Sequence, residues 1–189
     1  MDEILREFPY GFDTERLMIR GPLPGDGRRV YEAVLESQAE LKPWLPWAAK
    51  IDGEKAYEKR VREGQLKFLA REDLWMMLLL KGTDTIIGGS GLHRIDWSVP
   101  KFEIGYWVRT SYGRQGYITE ATAGITKFAF ETLGAKRVEI RCDAENVRSA
   151  AVARRLNFPL EATLHHDDRH HLTNELRDTL VFAQIRGDG

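Results

Sequence analysis

The sequence predicts an α/β domain, of the α+β kind, built on one mixed sheet with helices on both faces. Three observations carry that expectation. The 189 residues are the length of one domain, so residues 1–189 are taken as a single unit. Hydrophobic residues are 42% and charged residues 30%, a balance that can bury a core and argues against a disordered chain. The elements also follow in the order strand, two helices, three strands, helix, strand, helix, two strands, without a linker-like tract or internal repeat.

Residues 15–20 (ERLMIR) alternate well enough for a first strand, with Leu17 and Ile19 on one face. GPLPGDG then breaks the chain, and Asp26 is placed to cap a helix carrying Val30, Ala33 and Val34. Residues 41–48 (LKPWLPWA) form a short aromatic segment punctuated by Pro43 and Pro46. A polar helix follows over residues 53–71, with Tyr57, Val61 and Phe68 inward. Residues 74–80 are apolar throughout, as a strand covered on both faces would be. Lys81-Gly82-Thr83-Asp84 has the composition of a hairpin turn, and residues 85–93 return as the next strand. Within it, Gly88-Gly89-Ser90-Gly91 reads as small residues that let another backbone come close. After a loop with Pro100, residues 102–108 (FEIGYWV) form a further strand. Residues 119–133 are helical, with Ala121, Ile125 and Phe128 inward and Gly134 as the stop. Val138, Ile140 and Cys142 alternate with charged residues in a half-buried strand. A helix capped by Asn146 runs to Leu156, and strands near residues 159–164 and 176–185 close the chain.

Composition excludes several function classes. The net charge is -1, from 28 Lys plus Arg against 29 Asp plus Glu, without the basic excess of a direct nucleic-acid binder. No apolar run approaches the roughly 18 residues a membrane span needs, so no membrane partner is expected. The start, MDEILREF, lacks the basic-then-apolar order of a secretion signal. Cys142 is the single cysteine, and a reducing, cytoplasmic location is the expectation. A monomer and a homodimer are both compatible with these features.

Chemistry concentrates in residues 103–121 (EIGYWVRTSYGRQGYITEA). An apolar strand ends, a turn holds Gly113 and Gly116, and a helix starts at once. That arrangement leaves several main-chain N–H groups pointing out of the helix start, beside the positive end of its dipole. Such a site suits a phosphate or pyrophosphate, with Arg114 adding a full charge. The spacing is neither a Walker loop, since Tyr117-Ile118 follows Gly116, nor the three-glycine dinucleotide fingerprint.

Here the sequence resembles the GNAT acetyltransferases, and within them the ribosomal-protein N-terminal acetyltransferases of the RimJ/RimL group. The resemblance spans ERLMIR, LKPWLPWA, IGYWVRTSYGRQGYITEA and RCDAENVRSAAVARRLNFPLEATL, and ends in a hydrophobic strand. It implies the GNAT fold: a mostly antiparallel sheet with a splayed parallel strand pair in its middle. It implies acetyl-CoA (coenzyme A) as co-substrate and no metal. Gly113, Arg114, Gln115, Gly116, Tyr117, Ile118 and Thr119 match the pyrophosphate loop. The strand ending at Tyr106, Trp107 and Val108 matches the one whose exposed backbone pairs with the pantetheine arm. Asn146 and Ser149 match positions facing that arm and its sulfur. In the family motif (Gln or Arg, two residues, Gly, one residue, Gly or Ala), Gly113 takes the first place here and Ile118 the last. Asn157 stands where Gly is usual, and Asn tolerates the left-handed conformation.

Acetyl transfer to an amine needs a neutral amine, a stabilised oxyanion and a protonated leaving thiolate. An α-amino group, with a pKa of about 7.7 to 8.0, is partly neutral already, whereas a lysine near 10.4 needs a stronger base. The main-chain N–H of Val108 is the candidate oxyanion donor. Ser149 is the candidate donor to the thiolate; the plain alternative is a small residue chosen for helix packing. Asp168 falls where the family carries an acidic residue credited as the base, with Glu161 and His166 in reserve; HHDDRHH also reads as a solvated loop. Four of the five histidines lie there, but adjacent histidines on an extended chain diverge, so no metal site is expected. Cys142, ending an alternating strand, is read as buried and not as an acyl carrier. Trp44, Trp47 and His166 are the candidate acceptor-binding residues, the indoles serving equally well as core covers. The expected acceptor is a protein N-terminus. Alternatives are a small amine such as an antibiotic, polyamine or aminoacyl nucleotide, or a sensor that binds acyl-CoA without turnover.

Overall fold

A computed structural model describes residues 2–186. Leu74, Met76 and Leu78 of strand β3 (Leu74–Leu80) face one core cluster, and Met77 and Leu79 face another. An apolar strand with both sides occupied requires a layer on each. Helices α1 (Gly27–Leu41) and α2 (Glu54–Ala70) cover one face, where Val30, Ala33, Val34, Tyr57 and Val61 meet Met77 and Leu79. Helices α3 (Tyr117–Glu131) and α4 (Val147–Arg155) cover the other, where Ala121, Ile125, Phe128, Ala150 and Ala153 join Leu74, Met76 and Leu78.

Among the described residues the sheet contains eight strands. Besides β3 they are β1 (Gly11–Asp13), β2 (Leu17–Arg20), β4 (Ile86–Asp96), β5 (Lys101–Val108), β6 (Arg137–Asp143), β7 (Leu160–Arg169) and β8 (Leu176–Ile185). Their order is β1-β2-β3-β4-β5-β6-β8-β7. Every neighbouring pair is antiparallel except β5 and β6, which run parallel through the α3 crossover. The mixed sheet with helices on both faces is as the sequence predicts.

Some boundaries differ. The first predicted strand is preceded by β1, which the alternation does not signal. A Cβ at Gly11 would sit 2.6 Å from Arg20 Cβ, so this short hairpin depends on a bare backbone there. Helix α3 starts two turn residues earlier than expected, because Gly116 takes φ 82° at its N-cap and lets the helix begin at Tyr117. Asp26 precedes α1 but makes no capping bond with its side chain. Instead it is fully buried, pairing with Arg20 at 2.7 Å and Arg29 at 2.8 Å and accepting the Leu23 N–H. Burial pushes its carboxyl up, but the Arg20 bond, the Leu23 N–H and the two arginine charges outweigh that and hold it below the usual value. The residue read as a cap therefore ties β2 to α1.

The glycine tract of β4 behaves as predicted. A Cβ on Gly88 would meet the Trp107 carbonyl at 2.3 Å, and one on Gly91 the Leu74 carbonyl at 2.4 Å. Asn146 caps α4 by accepting the Ser149 N–H at 3.1 Å, and Asn157 adopts φ 56°. No helix among the described residues is long and apolar enough to cross a membrane.

Candidate active site

The ladder between β5 and β6 is short. Lys101, Phe102 and Glu103 pair with Arg137, Val138 and Glu139, and the pairing stops there. Yet β5 stays paired with β4 as far as Val108, opposite Gly88, and β6 stays paired with β8 as far as Asp143. The two parallel strands therefore part from Ile104 and Ile140 onward. Antiparallel pairing alternates which peptide groups face the neighbour. Arg109 N–H donates to Ile87 O at 2.7 Å, so the N–H groups of Val108 and Tyr106 point away from β4, into the opening. Neither group has a strand partner on that side, since the ladder to β6 ends at Glu103. The opening forms a cleft of about 1490 Å³ between β5, β6 and the starts of α3 and α4.

One end of the cleft is the turn into α3. Four contacts to α1 fix the chain leaving β5: Arg109 Nε to Glu36 at 2.6 Å, Ser111 N–H to Glu36 at 2.9 Å, Thr110 N–H to Ser37 Oγ at 2.9 Å, and Thr110 Oγ1 to Glu40 at 3.1 Å. Arg114 (φ 62°) and Gly116 (φ 82°) both take the left-handed conformation. Glu120 N–H donates to Gly116 O at 3.0 Å, so the N–H groups of Tyr117, Ile118 and Thr119 precede the helical ladder. Arg16 secures the turn by donating to Gln115 O at 3.0 Å and bonding Glu120 at 2.6 Å. Gly113, Arg114, Gly116, Tyr117, Ile118 and Thr119 line the cleft. Gln115 does not, since its amide turns back to donate to Ser111 O at 3.1 Å. This cradle suits a pyrophosphate, and the open strand edge suits an amide-bearing arm.

Midway along the cleft, Ser149 Oγ donates to Tyr106 Oη at 3.1 Å, and Tyr106 Oη donates to Ser149 O at 2.9 Å. Asn146, Val152, Leu156 and Cys142 line the same wall. Burial is the main reason the Tyr106 phenol is pushed up to about 12, the Ser149 bond opposing it and Cys142 adding to it. Burial likewise raises the Cys142 thiol, against a smaller lowering by Ser149. Tyr106 is thus a neutral hydroxyl, and Cys142, half-buried, is a protonated thiol with little nucleophilic character.

A second cavity, of about 540 Å³, lies on the α1/α2 face of the same strand. Trp47, Trp75 and Trp107 wall it, and Trp47 meets Trp107 edge-on at 5.9 Å. Leu45, Gly105, Tyr106 and Trp107 line both cavities, so the two flank the same stretch of β5. The Trp107 ring belongs to the α1/α2 side, and only its backbone borders the opening. Trp44 lines the cleft, not the chamber of Trp47. His93 and Asp73 also line the chamber, with His93 Nδ1 at 2.8 Å from Asp73 Oδ2. Glu103 borders the cleft; burial raises its carboxyl and Glu139 adds to that, while Arg94, 3.2 Å away, and Arg141 oppose it.

The structure brings Val108, Asn146 and Ser149 to one cleft. Asp168, His166 and Glu161 lie elsewhere, on β7, and line neither cavity. Residues 165–169 of the stretch read as a loop belong instead to edge strand β7, whose pairing with β8 shifts register after Leu164 and resumes at Asp168 and Arg169. Asp168 accepts the Arg169 N–H at 2.7 Å, His166 N–H donates to Asp178 at 2.9 Å, and Glu161 pairs with Arg137 at 2.5 Å. Among the described residues no group of three or more His, Cys, Asp or Glu could hold a metal ion.

Comparison with known proteins agrees with this geometry. Residues 16–159 match the model of the acetyltransferase (GNAT) domain. YdaF of Bacillus subtilis (strain 168), provisionally named a ribosomal N-acetyltransferase, is 30% identical over 146 residues, covering 77% of this chain and 79% of its own. The ribosomal-protein-serine acetyltransferase of Escherichia coli (strain K12) is 26% identical over 172 residues, covering 91% of this chain and 94% of its own. Among solved structures, the microcin C7 self-immunity acetyltransferase MccE, in complex with acetyl-CoA and AMP, superposes with a TM-score of 0.85 at 18% identity. That match covers 96% of this chain and 99% of MccE and shows the shared fold. An opened parallel strand pair, a bare-amide cradle and a match over most of the length lead to one conclusion: the chain belongs to the GNAT acetyltransferase family.

Proposed function

We propose that the chain acetylates the N-terminal α-amine of a protein, with ribosomal proteins as the acceptor class, by direct attack and without a covalent enzyme intermediate. The observation that supports this reading is that two cavities flank the same stretch of β5, Gly105–Trp107, which lets one serve the donor and the other the acceptor. When bound, acetyl-CoA supplies an activated acetyl thioester. The main-chain N–H groups of Tyr117, Ile118 and Thr119, with Arg114, hold its diphosphate. The Tyr106 and Val108 peptide groups receive its arm, and Asn146 borders the same path. Val108 N–H is aimed where negative charge develops on the carbonyl oxygen. The Ser149 hydroxyl, which lies beside Tyr106 Oη, turns from it to give its proton to the leaving sulfur. The raised thiol of Cys142 favours direct attack over a thioester on the enzyme.

The named relatives support the acceptor class, and chemistry supports it independently. An α-amine is neutral in part near pH 7, so it needs only a modest base. The test is an intact-mass assay with labelled acetyl-CoA on a panel of ribosomal-protein N-terminal peptides, the same peptides blocked at the α-amine, polyamines and an aminoacyl nucleotide. The expected result is one added acetyl group on the open peptides and none on the blocked ones. Turnover confined to a small amine would replace this reading. Tight acetyl-CoA binding with no acceptor modified would leave a sensor.

A further inference from the structure

We propose that the His93–Asp73 pair is the base of this enzyme, with His93 Nε2 taking the proton from the acceptor amine. The inference rests on the acetyl-transfer reading above and adds a residue that neither the sequence pattern nor family membership supplies.

His93 lies on β4 opposite Glu103 of β5. Its Nδ1 is 2.8 Å from Asp73 Oδ2. A carboxylate only accepts, so Nδ1 carries a proton, and in the neutral ring the Nε2 lone pair is then available. The ring lies across Gly105: a Cβ there would come within 3.2 Å of Cδ2 and 3.5 Å of Nε2. Gly105 is not in a left-handed conformation, so its value here is room for the imidazole. The ring therefore sits over the part of β5 that borders both chamber and cleft. His93 and Asp73 are 31% and 32% exposed, open enough to exchange protons with solvent after each turnover.

The step balances without a further reactant. The amine nitrogen forms the C–N bond and the C–S bond breaks. One N–H proton passes to His93 Nε2, and the departing sulfur takes one from Ser149, which solvent restores. The charged groups facing the imidazole are Asp73 at the entry of β3, Arg94 on β4 and Glu103 on β5, with Arg60, Glu63 and Lys67 across the chamber on α2. Asp73 orients the ring; Glu103, with Arg94 beside it, is the rival proton acceptor.

Two measurements test the proposal. In the wild-type protein, long-range ¹H–¹⁵N spectra of the imidazole should show the Nδ1–H tautomer, and D73N should shift it toward Nε2–H. This readout needs no acceptor, so it stays informative if the acceptor assignment fails. With any amine the enzyme turns over, H93Q should lower kcat/KM by about 100-fold, within the usual reach of general-base catalysis. It should also remove the acid limb of the pH profile and leave the acetyl-CoA dissociation constant unchanged. A wild-type ring in the Nε2–H form overturns the proposal. So does an acid limb that survives H93Q but is lost in E103Q or D168N.

Discussion

Ser149→Ala lowers kcat by about 100-fold or more, in the range general-acid catalysis typically contributes, and leaves acetyl-CoA affinity within a factor of about two. The hydroxyl sits at the cleft wall and donates to Tyr106 Oη, whose own proton goes to the Ser149 carbonyl. Removing it takes away a proton donor needed as the thiolate leaves, an interaction strengthened in the transition state and weak in the ground state. Tyr106→Phe should give a smaller loss, because it frees Ser149 to rotate without removing the proton. The double variant should be no slower than Ser149→Ala alone, since groups acting as a unit are not additive. Thiol-release kinetics with a saturating acceptor, alongside calorimetry of acetyl-CoA binding, measure both quantities. Equal activity of Ser149→Ala and wild type would reduce Ser149 to a packing residue.

Gly116→Asp raises the acetyl-CoA dissociation constant by about 100-fold, or near 3 kcal/mol. Two causes add. A side chain on the left-handed conformation at φ 82° costs roughly 1–2 kcal/mol wherever that geometry must be kept. The new carboxylate then faces the diphosphate at the helix start, where the dipole otherwise favours an anion. Gly116→Ala separates them: it keeps the strain, omits the charge, and should cost about 10-fold. Added salt should narrow the gap between the two variants, because screening acts on the charge alone. Kd values near wild type for both would remove the turn from the coenzyme site.

How much of this was legible in the sequence follows from what each signal depends on. The helix stripes, the two-sided strand β3 and the strand–turn–helix cradle are local patterns, and each appears where the periodicity places it. Asn146 and Asn157 were legible because caps and left-handed positions follow from side-chain chemistry. The β1 hairpin was not, because three residues are too few to show alternation and its cause is a long-range contact. The loop expected over HHDDRHH is edge strand as far as Arg169: polar residues on both faces and a register shift after Leu164 hide its period. Within the site, Tyr106 was read only for its backbone. Yet alternation from Phe102 already places 102, 104 and 106 on one face, which was the available signal. The pairing of Asp73 with His93 spans 20 residues of chain and arises only when β3 and β4 close their hairpin. No pattern along the chain marks it.

Residue-resolved amide exchange, with and without saturating coenzyme A, tests the central claim most directly. The account predicts new protection at Tyr106 and Val108 on the open edge of β5 and at Tyr117, Ile118 and Thr119 at the head of α3, with β7 unchanged. Protection that appears elsewhere, or bound coenzyme that leaves those amides exchanging as before, would contradict it.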